Sequence, residues 1–172
     1  MLTKNTAVKQ GHGAMARGAL LLGMLSTGAL LLAGCGAQAA LSQTPQADPR
    51  LLQDALKDSA TGHVSLGEIY GQVHDFDRAV AICPYMDTDD VDLALGFAWD
   101  GTDALPLDNE ARGALLLARD TKVAAIMLAE RSALDFCSMD DAAGAGILPE
   151  TELGFRPSPG AAGETSWSAT RP

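Results

Sequence analysis

Cys35, Cys83 and Cys137 are the only thiols in the 172 residues, and His63 and His74 are the only imidazoles past residue 12. A thiolate is a nucleophile and an imidazole is a general base near neutral pH. Covalent catalysis needs a nucleophile, a base and an orienting group held together. No Gly-x-Ser-x-Gly turn is present, and Ser65, His63 and Asp75 make a triad by residue type alone, with nothing in their spacing to support the geometry. Both histidines sit beside flexible residues and read as solvated. Asp87, Asp89, Asp90 and Asp92 resemble a fragment of a calcium loop, but the glycine at its sixth position and its distal glutamate are missing. Helix capping and a solvated face account for them better. Twenty-two acids make any one carboxylate pair uninformative for glycoside hydrolysis. Gly144-Ala145-Gly146 does not lie between a strand and a helix, so no phosphate loop is indicated.

Cys35 stands apart because of what precedes it. Residues 18 to 33 carry no charge and are rich in leucine, and before them lie Lys4, Lys9 and Arg17 without an acid. A basic flank, an apolar core and then small residues are a secretory signal. As a helix the sixteen-residue run is about 24 Å long, short of the ~30 Å that a spanning helix must cross. Met15-Ala16-Arg17 and the run form a complete leader by themselves, which predicts a start at Met15. With one arginine there is no twin-arginine pattern, so general secretion is expected.

Leu32-Ala33-Gly34-Cys35 at the end of this leader resembles the lipobox of bacterial lipoproteins. The resemblance implies a signal peptide over 1–34, cleavage before Cys35, and a diacylglyceryl group (palmitate among its acyl chains) on the Cys35 thiol. It implies a chain anchored at the extracytoplasmic face of the cell membrane. By that family's sorting habit, Gly36 in place of aspartate points to the outer membrane where one exists. An ordinary signal cut after Ala37-Gln38-Ala39 also satisfies the small-x-small rule.

If Cys35 is acylated, Cys83 and Cys137 remain as a pair, and outside the cytoplasm a disulfide is their expected state. Two buried free thiols are the alternative. The bridge closes fifty-three intervening residues, worth roughly 4 kcal/mol by loop-closure entropy. There is no Cys-x-x-Cys redox motif, and two histidines with paired cysteines leave no zinc set. No metal or other cofactor is expected. Three of the twelve basic residues lie in the leader, leaving nine against twenty-two acids, a net charge of −13. Such a chain repels nucleic acid and anionic headgroups, so no nucleic-acid partner is expected and membrane contact falls to the acyl chains.

The elements that must position these groups read as follows. Residues 35–47 form a flexible tether, uncharged from Gly36 to Ala47. Asp48 caps a helix with Pro49 in its first turn and Leu51, Leu52, Ala55 and Leu56 at helical spacing, and Gly62 can end it. Val64 to Ile69 is a short strand or a turn of helix. Arg78 to Cys83 is a buried strand stopped by Pro84. Asp87 or Thr88 caps a second helix carrying Val91, Leu93, Ala94 and Leu95 and ending at Gly96. Phe97 to Trp99 reads as strand, followed by a loop from Asp100 to Asn109. Ala114–Ala118 and Val123–Ala129 flank four polar residues, Arg119 to Lys122. One helical turn is ~3.6 residues, so four in a row interrupt every face of a helix. A hairpin turning at Asp120-Thr121 is therefore favoured over a long helix. Leu134 to Cys137 reads as the last strand, bringing Cys137 beside Cys83. Residues 141–172 read as a mostly disordered tail, because Pro157, Ser158, Pro159 and Gly160 oppose regular structure, with Ile147 to Phe155 docking on the domain.

The expected fold is α+β over residues 48–140: a small, mostly antiparallel sheet, two packed helices and one disulfide. Phe97, Trp99, Tyr85 and Phe136 read first as core. If one patch binds a partner, Tyr85 and Met86 are the candidates, because a strand end, a helix start and the bridge converge there. The function expected is a non-enzymatic binding or interaction module of the cell envelope, with an envelope protein or small ligand as partner. An inhibitor or accessory subunit of a secreted enzyme, and a small envelope-polymer hydrolase, are the alternatives.

Overall fold

The structure, a computed structural model, describes residues 41–139, 146–160 and 163–170. The leader, Cys35, the start of the tether and residues 140–145 lie outside the described residues. All that is described belongs to one compact unit. Helix α1 spans Pro49–Asp58, α2 Leu66–Tyr70 and α3 Thr88–Leu95. The strands are β1 His63–Ser65, β2 Arg78–Ile82, β3 Arg112–Arg119, β4 Lys122–Glu130, β5 Leu134–Asp135, β6 Glu152–Pro159 and β7 Thr165–Thr170. They form a three-stranded antiparallel sheet, β2-β3-β4, and a four-stranded one, β1-β6-β7-β5, in which only β5 and β7 run parallel. The α+β class is as read from the sequence; the single expected sheet is two.

Both faces of the three-stranded sheet are covered, which is why its strands read as unbroken apolar runs. Alternate residues go to different cores. Leu115, Leu117, Ala125 and Met127 face the other sheet and join Leu52, Leu56, Leu66, Tyr70, Phe155 and Trp167. Leu116, Ala118, Val80, Ile82 and Ile126 pack instead on Val91 and Leu95 of α3 and on Leu105 and Leu107. The Asp120-Thr121 turn is present, with Asp120 left-handed at φ 52°. Short bridges cap both outer strands. Ala79 of β2 exchanges two 2.7 Å hydrogen bonds with Ile147, and Ile126 of β4 bonds Pro45 O and Ala47 N.

That second bridge corrects the tether. Ala47 is buried, Gln46 runs parallel beside Ile126, and Leu41 packs on the α3-side core. Residues 41–47 therefore belong to the fold, because the open edge of β4 offers backbone partners that an uncharged segment can take.

The tail is corrected more strongly. Residues 152–159 and 165–170 are β6 and β7, at the centre of the four-stranded sheet. The prolines fit because of where they fall in the alternation. Phe155 N–H donates to Gly62 O across the β1 side, while Gly160 N–H donates to Glu164 O across the β7 side. Residues 155, 157 and 159 thus turn their backbone toward the β1 side, where β1 has already ended. A proline there removes a donor that no strand would receive, and it blunts an open edge. Leu153, Phe155, Trp167 and Ala169 point into the core.

Phe97 to Trp99 is likewise not strand. The Asp92 carboxylate accepts Trp99 N–H at 3.0 Å, Phe97 lies under the Arg78 guanidinium at 5.6 Å, and a 3-10 turn follows at Thr102–Ala104. A local side-chain bond has taken the backbone donor that a ladder would have used. Helix α1 ends at Ser59 rather than Gly62, which instead turns the chain into β1 at φ 68°. The segment left open at Val64–Ile69 is both things at once, a short strand running into α2. Leu134–Asp135 is strand, but two more follow it.

Candidate functional site

The residues singled out around the bridge do meet. Cys83 follows β2 and Cys137 follows β5, and a disulfide joins them with their Cα atoms 5.7 Å apart. It ties the end of one sheet to the end of the other. The Asp135 carboxylate prepares the Cys137 side: it accepts Cys137 N–H at 2.9 Å and a two-point pair from Arg131, whose Nη1 also reaches Glu110 O at 3.1 Å. A forked guanidinium–carboxylate pair of this kind fixes orientation as well as charge.

Between Cys83 and the start of α3 the chain must reverse within four residues. Pro84 ends the strand, Tyr85 takes a left-handed backbone at φ 67°, and Asp87 opens α3 with a reciprocal capping box to Asp90. Positive φ is uncommon for a bulky side chain and carries a cost of about 1–3 kcal/mol. Its result is that Tyr85, held by N–H donation to Leu107 O at 2.8 Å, keeps its ring 67% exposed. Desolvation at the surface and the carboxylates of Glu110 and Asp108 push the phenol above its ordinary pKa. Met86, the other residue of the candidate patch, is not presented to a partner: it is half-buried on the α3-side core, and its Sδ accepts Cys83 N–H at 3.2 Å. Phe136 is core, as expected, whereas Tyr85 is not.

Sequence reasoning missed the partners of Tyr85. Leu107, Asp108 and Glu110 come from a loop more than twenty residues away, and no local pattern announces that Leu107 O will meet Tyr85 N–H. At the same end of the sheet a groove of about 310 Å³ is lined by Pro106, Arg112, Leu128, Ala129 and Glu130, with Arg112 and Glu130 paired at 2.8 Å. A second groove, about 370 Å³, lies between Ser65, Gly67, Glu68, Pro149, Glu150 and Glu152.

The catalytic combination is not brought together. Ser65 Oγ accepts Glu68 N–H at 3.1 Å as the cap of α2, and Asp75 pairs with Arg119 on the other sheet. His63 lies exposed over Gly154, and His74 sits 6.4 Å from the Tyr70 ring. Asp87 and Asp90 cap α3, as their position suggested. Among the described residues no three His, Cys, Asp or Glu side chains are placed to hold a metal ion, and no helix there is long and apolar enough to cross a membrane. Neither a known family, nor a curated protein, nor a solved structure matches this chain.

Proposed function

We propose that this chain is a cell-envelope lipoprotein, held to the membrane by acyl chains on Cys35, whose folded part is a non-enzymatic binding module. The anchoring half rests on the leader and on Leu32-Ala33-Gly34-Cys35. The binding half rests on one observation: an exposed tyrosine kept in a left-handed backbone beside a disulfide. Backbone strain that presents a side chain instead of burying it is a reason to look there for a contact. Tyrosine is suited to the role, since it offers a large apolar face and a polar tip at little rotamer cost.

Two measurements test the proposal. Intact-mass analysis of membrane-extracted protein should show a diacylglyceryl adduct at Cys35 as the new N-terminus; an unmodified thiol sinks the anchoring half. A photo-crosslinking amino acid at position 85 should trap one discrete partner in intact cells, while the same group at Leu93, 83% exposed on α3, should not. Equal trapping at both positions, or at neither, removes Tyr85 as the contact.

A further inference from the structure

The direction in which the folded part takes up its own N-terminal segment says which end can lie against a bilayer. Gln46 pairs parallel with Ile126 of β4, so the chain reaches Ala47 running the same way as β4, from the Lys122 end toward the Glu130 end. Leu41 is already packed. Leu41 is six Cα–Cα steps from Cys35, and fully extended they reach about 20 Å. Strand β4, nine residues long, covers about 27 Å at ~3.4 Å per residue. A lipid on Cys35 therefore joins the domain through a segment that enters Ala47 from the side of the β3–β4 turn, and the Tyr85 end lies a strand length beyond that turn.

Charge selects among the remaining tilts. At the turn, Arg78, Arg119 and Lys122 stand with Asp75, Asp77 and Asp120, three cations against three anions. Asp75 pairs with Arg119, Asp77 pairs with Arg78 and accepts Asp120 N–H, and Arg78 Nη2 donates to both Asp120 O and Leu95 O. This end is neutral and tied together, in a mature chain of net charge −13. The α3 side is the opposite: Asp87, Asp89, Asp90, Asp92, Asp100 and Asp103 fall within seventeen residues that hold no Lys or Arg. Laying that side on anionic headgroups sets like charge against like within a Debye length, about 8 Å at physiological salt.

We infer that the β3–β4 turn, with Arg78, Arg119 and Lys122, is the face set against the anionic bilayer surface, and that the Tyr85–disulfide end is the pole turned away from it. This rests on the lipid anchor proposed above. The orientation would put the candidate contact at the outermost point of the domain, open to a partner approaching from the aqueous side.

The test uses the full lipidated chain in vesicles of phosphatidylcholine and phosphatidylglycerol carrying a nitroxide on the headgroup. A fluorophore is attached at Thr121→Cys or, separately, at Asp108→Cys, with Cys83 and Cys137 occupied by their bridge. Quenching is expected at position 121 and not at 108. A flexible Gly/Ser insert of about twenty residues between Ala40 and Leu41 should remove the quenching at 121 while the protein still floats with the vesicles. Equal quenching at both positions, or more at 108, in protein that floats overturns the orientation and leaves the anchor standing. Protein that does not float and carries an unmodified Cys35 overturns the anchor, and the orientation with it.

Discussion

Gly62 is where the backbone tolerates one residue type. It sits at φ 68°, and a Cβ there would come within 2.8 Å of Phe155 O, the atom row that joins β1 to β6. A left-handed conformation costs an ordinary residue roughly 1–2 kcal/mol. Gly96, at φ 77° with nothing within 4 Å of its would-be Cβ, isolates that conformational part. Gly62→Ala should therefore lose more stability in urea denaturation than Gly96→Ala, about 2 kcal/mol or more against about 1. Asp48 supports a pH prediction. Hydrogen bonds from the Arg50 side chain and backbone N–H hold its carboxyl below the usual range. The folded value is depressed, so this contribution is complete above the unfolded aspartate range and is lost as pH falls through the folded value. Asp48→Asn keeps an acceptor for Arg50 N–H but has no charge to titrate. The stability gap between wild type and this variant should be widest near neutral pH and should close below the ordinary aspartate value of ~3.9. A gap that does not change with pH would show the ion pair to be irrelevant.

Among the elements, β6 is the informative one. Ser158 lies between two prolines, yet its backbone faces β7, opposite Ser166. Ser158→Pro should remove a ladder hydrogen bond and cost about 3 kcal/mol, although the prolines on either side are tolerated. A near-neutral effect in thermal denaturation would mean that the alternation is assigned the wrong way round. The same strand explains what could and could not be read from the sequence. Helices α1 and α3 were legible because their signals are local: Asp48 before Pro49, Asp87 before an apolar stripe, Gly96 after it. The β3–β4 hairpin was legible because four polar residues cannot sit on one helix face. Residues 152–170 were not, because a proline in a strand is judged by which way its nitrogen points, and that depends on β1 and β7 far away in sequence. Of the candidate site, the cysteine pairing was expected once the lipobox resemblance set Cys35 aside, and the prominence of Tyr85 followed from its place between a strand and a helix. The loop that holds it came only with the fold.

In the whole molecule, the disulfide and the C-terminal strands do complementary work. The bridge links the ends of the two sheets, and replacing both Cys83 and Cys137 by alanine should lower stability by roughly 4 kcal/mol in a denaturant titration. Deleting residues 146–172 should be worse. It removes β6 and β7 and uncovers the side of the core that Leu153, Phe155, Trp167 and Ala169 close. The expected result is no cooperative unfolding transition; a sharp one at the wild-type midpoint would restore the reading of that region as a dispensable tail. The position of β7 carries a last consequence. It lies between β6 and β5, so a segment later in the sequence than either joins two pieces that precede it. Until residues 165–170 have left the ribosome the four-stranded sheet has a gap in its middle and cannot close. Closure of that sheet is thus postponed until its central strand emerges, so the hydrophobic face it covers stays open to solvent or to a chaperone until then.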